Sequence, residues 1–396
     1  MNPVRACMVS FYFEPHYSGS AIQAKNLCRY LKRQGVDSMV VSARLSSEER
    51  TEIVDGIPVH RLPVVSNKDL QIPSFWLSLS SFLLRNRDQY DVIHAHGTLQ
   101  HGPVSVVGRM LGKKTFLKVA MANSDIAFQR QGRIWGKVNR FYVSRFDRYI
   151  ATSRQIYQEF IDQGMSEDKI VLVPNGVDTE RFRPVESDQE RSALKIELGL
   201  PGKCLISYVG MIIPRKNVDF ILKVVNEVRR RGSDCHVVLI GPVDRSGGRD
   251  TGDYYDALSR YIRDSDLDGH VTFAGQQDRV DRYLRASDIF MLASKEEGMP
   301  NVLLEAMACG LPCVASRISG TEDLVDHDKT GFLLDLSEFD RFVDITERLS
   351  RDTNLRGRIG AEARRLIADR FSLDFVARRI LSLYSNQAES PESHGS

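Results

Sequence analysis

The stretch Glu296-Glu297-Gly298-Met299-Pro300-Asn301-Val302-Leu303-Leu304-Glu305-Ala306-Met307-Ala308-Cys309-Gly310 passes from a segment that cannot be regular helix into one with every helical feature. Gly298-Met299-Pro300 resists helical hydrogen bonding and Asn301 is a favoured N-cap, so a helix is expected to begin there. Within residues 302–309 every residue but one is apolar, the pattern of a helix buried on nearly all sides. The exception is Glu305. A carboxylate inside such a helix is costly unless hydrogen bonds compensate. Hydroxyl groups of a ligand would serve, each charge-assisted bond contributing about 1.5–3 kcal/mol. The N–H groups at 301–303 would meanwhile face an anion at the helix start. Phosphate at the helix tip with a sugar hydroxyl on Glu305 is one coherent picture. A buried Arg or Lys paired with the acid is the other.

Outward from this helix the chain alternates short β-rich runs with helical patterns, which argues for doubly wound α/β sheets. Residues 4–13 form a nearly continuous apolar run, as in a buried parallel strand. Ala21, Ala24, Leu27, Cys28 and Leu31 then recur at helical spacing, and Gly35 supplies a stop. Further strands are predicted at 38–42, 59–63, 92–94, 115–119, 149–151 and 170–173. The rhythm restarts after the polar stretch 184–203. A strand at 205–209 leads to a helix with Val218, Ile221, Leu222, Val225 and Val228 on one face. Strands at 237–240, 271–273, 289–292 and 313–315 follow, and helical patterns at 340–349 and 355–368 close the unit. Two Rossmann-like domains result, 1–190 and 191–386. The last helix is a candidate to cross back to the first domain, and 387–396 is expected to be a disordered polar tail.

Composition agrees with a soluble protein: 42% of residues are hydrophobic and 27% charged. No run approaches the ~18 consecutive apolar residues of a membrane span, and the N-terminal apolar run reads as a strand, lacking a signal-peptide cleavage site. Six cysteines (Cys7, Cys28, Cys204, Cys235, Cys309, Cys313) are scattered in apolar contexts, as small hydrophobes of a reducing cytoplasm and not as a disulfide or zinc framework. Residues 1–185 carry 25 Lys/Arg against 17 Asp/Glu, and the remainder 29 against 35. The first half is therefore basic, which suits an anionic surface or substrate on that side.

Two glutamates inside E-G-x-P-N-x-x-L-E-A-M-A-x-G-x-P resemble the signature of the retaining glycosyltransferases of family four, which have the GT-B fold. Other segments keep that family's order: His94-Ala95-His96-Gly97; Val173-Pro174-Asn175-Gly176-Val177-Asp178; Val209-Gly210 before Arg215-Lys216-Asn217; Gly320-Thr321-Glu322-Asp323-Leu324-Val325; and Thr330-Gly331-Phe332. The resemblance implies two Rossmann-like domains facing across a cleft, with a nucleotide-diphosphate sugar as donor. It gives Lys216 the donor diphosphate, with Arg215 beside it, and Glu305 the ribose hydroxyls. Glu297 would hold hydroxyls of the transferred sugar, and the backbone of Gly298, Met299, Pro300, Asn301, Val302 and Leu303 would meet sugar and phosphate oxygens. Gly210 ends the strand before Lys216. Gly19, opening the first helix, would close over the phosphates, His96 would bond the sugar's primary hydroxyl, and the backbone at Val280 would meet the base. His94 reads as a core histidine. The catalytic set is thus Glu297, Lys216 and His96.

One departure stands out. The family usually has Arg directly after the strand-ending Gly, and here Met211 takes that place. Either Arg215 or another base then supplies the second positive charge, or the donor is held more weakly than is usual in the family. No cofactor is expected and no metal: Asp264-Ser265-Asp266 and Asp266-Leu267-Asp268 match D-x-D, but in a loop where acids are commonplace. The resemblance further implies a retaining mechanism, a preference for UDP over GDP, and a glycan or lipid-linked acceptor in surface polysaccharide assembly.

Residues 109–148 hold ten bases, Arg109, Lys113, Lys114, Lys118, Arg130, Arg133, Lys137, Arg140, Arg145 and Arg148, against Asp125 and Asp147. Phe128, Trp135, Phe141, Tyr142 and Phe146 are interleaved. Such a segment suits peripheral contact with an anionic membrane, the alternative being aromatics packed inward. Rival functions are a GT-B nucleotide-sugar epimerase and a non-catalytic glycan- or nucleotide-binding protein. A dehydrogenase lacks its G-x-G-x-x-G, and no nucleic-acid module is evident.

Overall fold

Alternate side chains of the first strand, β1 (Arg5–Val9), enter two different cores. Cys7 and Val9 pack on one face of the sheet, Ala6 and Met8 on the other. That two-sided burial is what a parallel sheet covered by helices on both faces requires. The computed structural model describes residues 4–16, 18–119, 121, 126, 133–243 and 249–385. The chain divides into two units, between Gly176 and Val177 and again between Ser372 and Leu373.

After β1 the first unit continues through α1 (Gly19–Arg33), β2 (Asp37–Arg44), β3 (Thr51–Val54), β4 (Ile57–Pro63), α2 (Lys68–Arg85) and β5 (Val92–His96). It ends with α3 (His101–Met110), β6 (Lys114–Val119), α4 (Arg133–Val143), β7 (Arg148–Ala151), α5 (Arg154–Asp162) and β8 (Ile170–Leu172). The sheet order is β3-β4-β2-β1-β5-β6-β7-β8. All pairs are parallel except β3 with β4. The order reverses between β1 and β5, so the crevice at their carboxyl ends is the expected ligand position of this unit.

The second unit runs α6 (Asp188–Glu197), β9 (Cys204–Val209), α7 (Val218–Arg230), β10 (Cys235–Ile240), α8 (Arg249–Asp264), β11 (Val271–Gly275), α9 (Val280–Ala286) and β12 (Ile289–Leu292). Then come α10 (Asn301–Ala308), β13 (Cys313–Ser316), β14 (Phe332–Leu334), α11 (Phe339–Arg351) and α12 (Thr353–Arg370). Its parallel sheet, β11-β10-β9-β12-β13-β14, reverses between β9 and β12. The final helix, α13 (Leu373–Ser385), belongs to the first unit. Leu373, Val376, Ala377, Ile380 and Tyr384 pack there with Leu27, Cys28 and Leu31 of α1.

Several expectations need correction. The division falls at 176/177, not at 190/191. The polar stretch 184–203 holds α6, a surface helix that caps itself through Ser187 and buries Leu194 and Lys195. Lys195 ends on Asp288 at 2.7 Å, so part of that polarity is structural. Asn301 is the first residue of α10 and not its N-cap, a position occupied by Pro300. The short strands β3 and β14 had no counterpart in the sequence reading. Lys118 and Phe146, counted in the basic aromatic segment, are buried, Lys118 within β6. Asp125, Phe128, Arg130 and the tail 387–396 lie outside the described residues. Asp266 is exposed and pairs with Arg229 at 3.3 Å. The six cysteines are unpaired. Among the described residues no helix is long and apolar enough to cross a membrane.

Candidate active site

At the carboxyl ends of β9 and β12 two loops come together, where the strand order reverses. The first starts at Gly210 (φ 153°), whose N–H donates to the Ile240 carbonyl at 2.9 Å. A Cβ on Gly241, at the end of β10, would sit 2.1 Å from the Gly210 carbonyl oxygen, so two glycines permit this close backbone approach. Pro214–Lys216 then makes a 3-10 turn, and Asn217 in the left-handed region (φ 56°) opens α7. The turn fixes Arg215 and Lys216 side by side.

The second loop presents Glu297. Lys216 Nζ and Glu297 Oε1 form a tight ion pair, with side chains only 13% and 10% exposed. Arg215 Nη1 lies 3.5 Å from Glu297 Oε2 and donates to the Glu296 carbonyl at 2.6 Å. The Lys295 N–H donates in turn to the Arg215 carbonyl at 2.9 Å. Both bases therefore converge on one carboxylate. Arg215, its side chain 35% exposed, brings a second cation to the site although Met211 stands where the family has Arg. Gly298, Met299 and Pro300 are buried, and no side chain caps the start of α10. The first-turn N–H groups of a helix lack intrahelical partners, so Val302 points its N–H out of the helix start. Gly320 (φ 77°) lets the following loop lie against this one. A Cβ there would fall 1.6 Å from the Gly298 carbonyl oxygen. Thr321 closes that loop through Oγ1, which donates to the Ser316 carbonyl at 2.9 Å.

Glu305 is half-buried one helical turn into α10, and among the described residues no hydrogen bond or ion pair reaches its carboxyl group. Arg181, whose charge is felt there, is committed elsewhere. Its Nε donates to Asp281 Oδ1 at 3.1 Å and its Nη2 to the Asp278 carbonyl at 2.6 Å. Burial pushes the Glu305 carboxyl up to about 8, Arg181 opposing the rise and Asp281 adding to it. Val280, half-buried, opens α9 beside Asp281.

The first unit has its own cluster at the carboxyl end of β5. His96 pairs in register with Lys118 of β6 and stacks on His94, ring centroids 4.4 Å apart. Gln100 Nε2 pins the loop by donating to the carbonyls of Val9 at 3.0 Å, His96 at 2.6 Å and Gly97 at 3.1 Å. His94 is a core residue, its Nδ1 2.7 Å from the Tyr384 hydroxyl. His96 Nε2 is buried without a hydrogen-bond partner. Burial, then Lys118, push the His96 imidazole down to about 3, so it is neutral. Lys118 is 4% exposed, its ammonium forms no hydrogen bond or ion pair among the described residues, and burial pushes that ammonium down to about 8. The sequence reading missed Lys118 as a site residue. Its signal was a lone base in the apolar run Thr115-Phe116-Leu117-Lys118-Val119. Gly19 is the first residue of α1, after Ser18 at the N-cap.

Residues 17–181 match the family model described as Glycosyltransferase Family 4, and residues 190–366 the one described as Glycosyl transferases group 1. The chain belongs to these family-four, group 1 glycosyltransferases. It has the GT-B fold and the function of a glycosyltransferase with a nucleotide-sugar donor. It is 24% identical over 378 residues to the N-acetyl-alpha-D-glucosaminyl L-malate synthase of Bacillus anthracis, covering 93% of this chain and 94% of that one. It is 26% identical over 340 residues to the UDP-Gal:alpha-D-GlcNAc-diphosphoundecaprenol alpha-1,3-galactosyltransferase of Escherichia coli, covering 83% and 84%. Among solved structures, Anabaena HepE in complex with UDP-glucose aligns with a TM-score of 0.76 at 19% identity, over 96% of this chain and 99% of that one.

Proposed function

We propose that the protein transfers a sugar from UDP, with GDP the second choice, to a glycan or lipid-linked acceptor with retention at the anomeric carbon. The observation that carries this reading is Glu305, a half-buried acid that no protein cation answers, on the helix whose start adjoins Lys216 and Glu297. Ribose hydroxyls would donate to it. Lys216 and Arg215 would turn to the diphosphate, and Glu297 would be left to the hydroxyls of the transferred sugar. The backbone at 298–303 would meet the remaining oxygens, and backbone at Val280 the base. His96, neutral and with one ring nitrogen unpartnered, suits a hydrogen bond to a sugar hydroxyl, and Gly19 suits close approach to phosphate.

The chemistry needs no protein nucleophile. The acceptor hydroxyl oxygen bonds to the anomeric carbon as the carbon–oxygen bond to the diphosphate breaks, and the acceptor's proton passes to the departing phosphate oxygen. The enzyme's contribution is orientation and stabilisation of the leaving diphosphate by Lys216, Arg215 and the helix start. These groups replace the charge a metal would supply. The printed name of the E. coli relative specifies a UDP-sugar and a diphosphoundecaprenol-linked acceptor, and HepE was solved with UDP-glucose, which favours UDP and a lipid-linked acceptor here. Surface polysaccharide assembly, a cytoplasmic location and peripheral contact with anionic membrane through Lys137 and Arg140 go with that reading.

The experiment is a panel of UDP- and GDP-sugars scored by thermal stabilisation, followed by product NMR. A single stabilising UDP-sugar and a retained anomeric configuration are expected. Inversion, or stabilisation by no nucleotide, would overturn the reading.

A further inference from the structure

The carboxyl ends of β5 and β6 lie beside the point where the strand order of the first unit reverses. Residues two apart on a strand share a face, so His94 and His96 of β5 stand with their register partners, Phe116 and Lys118 of β6. The inner row, His94 and Phe116, is covered by Tyr384 of α13. The Tyr384 ring lies 5.0 Å from that of Phe116, and its hydroxyl is 2.7 Å from His94 Nδ1. The last row is His96 and Lys118, and the partly exposed residues Gly97, Thr98 and Leu99 follow it. At the crevice end of the sheet, therefore, an imidazole and an ammonium stand side by side.

Lys118 differs from the other buried bases in lacking a partner. Three bases are buried among the described residues, Arg61, Lys118 and Lys195. Arg61 pairs with Glu52, and Lys195 with Asp288 at 2.7 Å. Lys114, on the same strand and face as Lys118, donates to the Tyr384 carbonyl at 2.9 Å. The Lys118 ammonium reaches no acceptor, and burial is the sole cause that moves its acidity. An apolar side chain there, like Phe116, Leu117 and Val119 around it, would spare the fold an uncompensated charge. His96 Nε2 is likewise buried without a hydrogen-bond partner. Two unanswered groups on adjacent strands suit one acceptor with two oxygens. A carboxylate accepts from the ammonium and from a neutral imidazole carrying its proton on Nε2, and such charge-assisted bonds are about twice as strong as neutral ones. A hydroxyl offers one oxygen and leaves the ammonium's charge uncompensated.

We infer that Lys118 and His96 together receive a carboxylate of the transferred sugar, at the carbon where a neutral hexose has its primary hydroxyl, so that the donor is a nucleotide-diphosphate hexuronate. The inference rests on the proposed function, which sets the sugar beside His96 and gives the diphosphate to Lys216 and Arg215. Lys118 is then a specificity residue. It selects the acidic sugar by charge, and His96 orients it.

Calorimetric binding to the full-length protein, with no acceptor present, tests this. UDP-glucuronate is compared with UDP-glucose, UDP-galacturonate with UDP-galactose, and GDP-mannuronate with GDP-mannose. In wild type one acidic donor should bind about tenfold or more tighter than its neutral counterpart, the scale of one charge-assisted hydrogen bond. Lys118→Met should abolish or reverse that preference. A ratio between two ligands of one protein does not register a change in stability, so a merely structural lysine would leave it intact. A neutral donor that binds as tightly as its acidic counterpart in every pair would overturn the inference. An anion carried by the acceptor instead would give that same result. An undiminished preference in Lys118→Met would overturn it as well. Affinity for free UDP and GDP is read in the same series. A nucleotide bound with no preference for acidic sugars removes the hexuronate alone, whereas affinity for neither nucleotide removes the proposed function with it.

Discussion

Lys216 and Glu297, 81 residues apart in sequence, close on each other as a nearly buried ion pair, and Arg215 approaches the same carboxylate at 3.5 Å. Without donor the acid offsets one of the two positive charges and holds both bases in place. With donor, the diphosphate would compete for those bases and the sugar for the acid. The pair thus keeps charged groups positioned for a ligand that brings charges and hydroxyls of its own. Its worth to the fold is modest, because burying both ions costs much of what their attraction returns.

Substituting either partner should therefore damage rate more than fold. Lys216→Met and Glu297→Gln should each lower turnover about 10²–10³-fold, the scale of losing one positioned electrostatic group. The double variant should lose less than the product of the two, since each side chain is positioned by the other. Nucleotide release under saturating donor measures this. Near-normal rates in either single variant would remove the assignment.

Glu305 predicts a proton count. Its carboxyl lies at about 8, so it is largely protonated at pH 7. Hydroxyl donors favour the ionised form, so UDP should expel close to one proton per site at pH 7 and none at pH 9.5. Calorimetry in buffers of different ionisation enthalpy reads that number. The sign for stability follows as well. A carboxyl raised above its ordinary 4.5 supports the unliganded fold fully below that value, and the support is lost as pH rises through about 8. Glu305→Gln should flatten that decline and abolish the proton release.

Lys118 should trade stability against activity. An ammonium buried without a partner opposes folding, so Lys118→Met is expected to raise the melting midpoint by about 2–4 °C. Because burial brings the ammonium down from 10.5 to about 8, wild-type stability should climb as pH rises through that interval and the advantage of Met should shrink. If the lysine meets an anionic group of substrate beside His96, turnover falls in the more stable protein. A more stable variant of undiminished activity would make Lys118 structural only.

Gly320→Ala tests the loop contact. A Cβ 1.6 Å from the Gly298 carbonyl and a φ of 77° cannot both be accommodated, so the loop carrying Glu297 must shift. Weaker stabilisation by UDP than in wild type, measured by thermal shift with the fold intact by circular dichroism, is the expected result.

How much of this was legible in the sequence depends on range. Glu305 was legible because one acid in an apolar helix is a local anomaly. So was the restart of the β-α rhythm after 203, because strand and helix periodicities are local. The convergence of Arg215 and Lys216 on Glu297 was not, since it arises where β9 and β12 become neighbours in the sheet. Nor was the hold of the Glu296 carbonyl on Arg215, which joins residues 81 apart. The boundary was placed too far along the chain because a polar stretch marked it, and α6 is polar for reasons of surface and of the Lys195–Asp288 pair. Lys118 was lost in a count of bases that ignored which of them lay on a strand.

The claim on which the account stands is that a bound ribose supplies what the protein withholds from Glu305. Calorimetric binding of UDP and of 2′,3′-dideoxy-UDP to wild type and to Glu305→Ala tests it directly. Wild type should prefer UDP by about 10- to 100-fold, the scale of one or two charge-assisted hydrogen bonds, and the variant should bind both nucleotides alike. An equal preference for UDP in both proteins, or none in wild type, would contradict it.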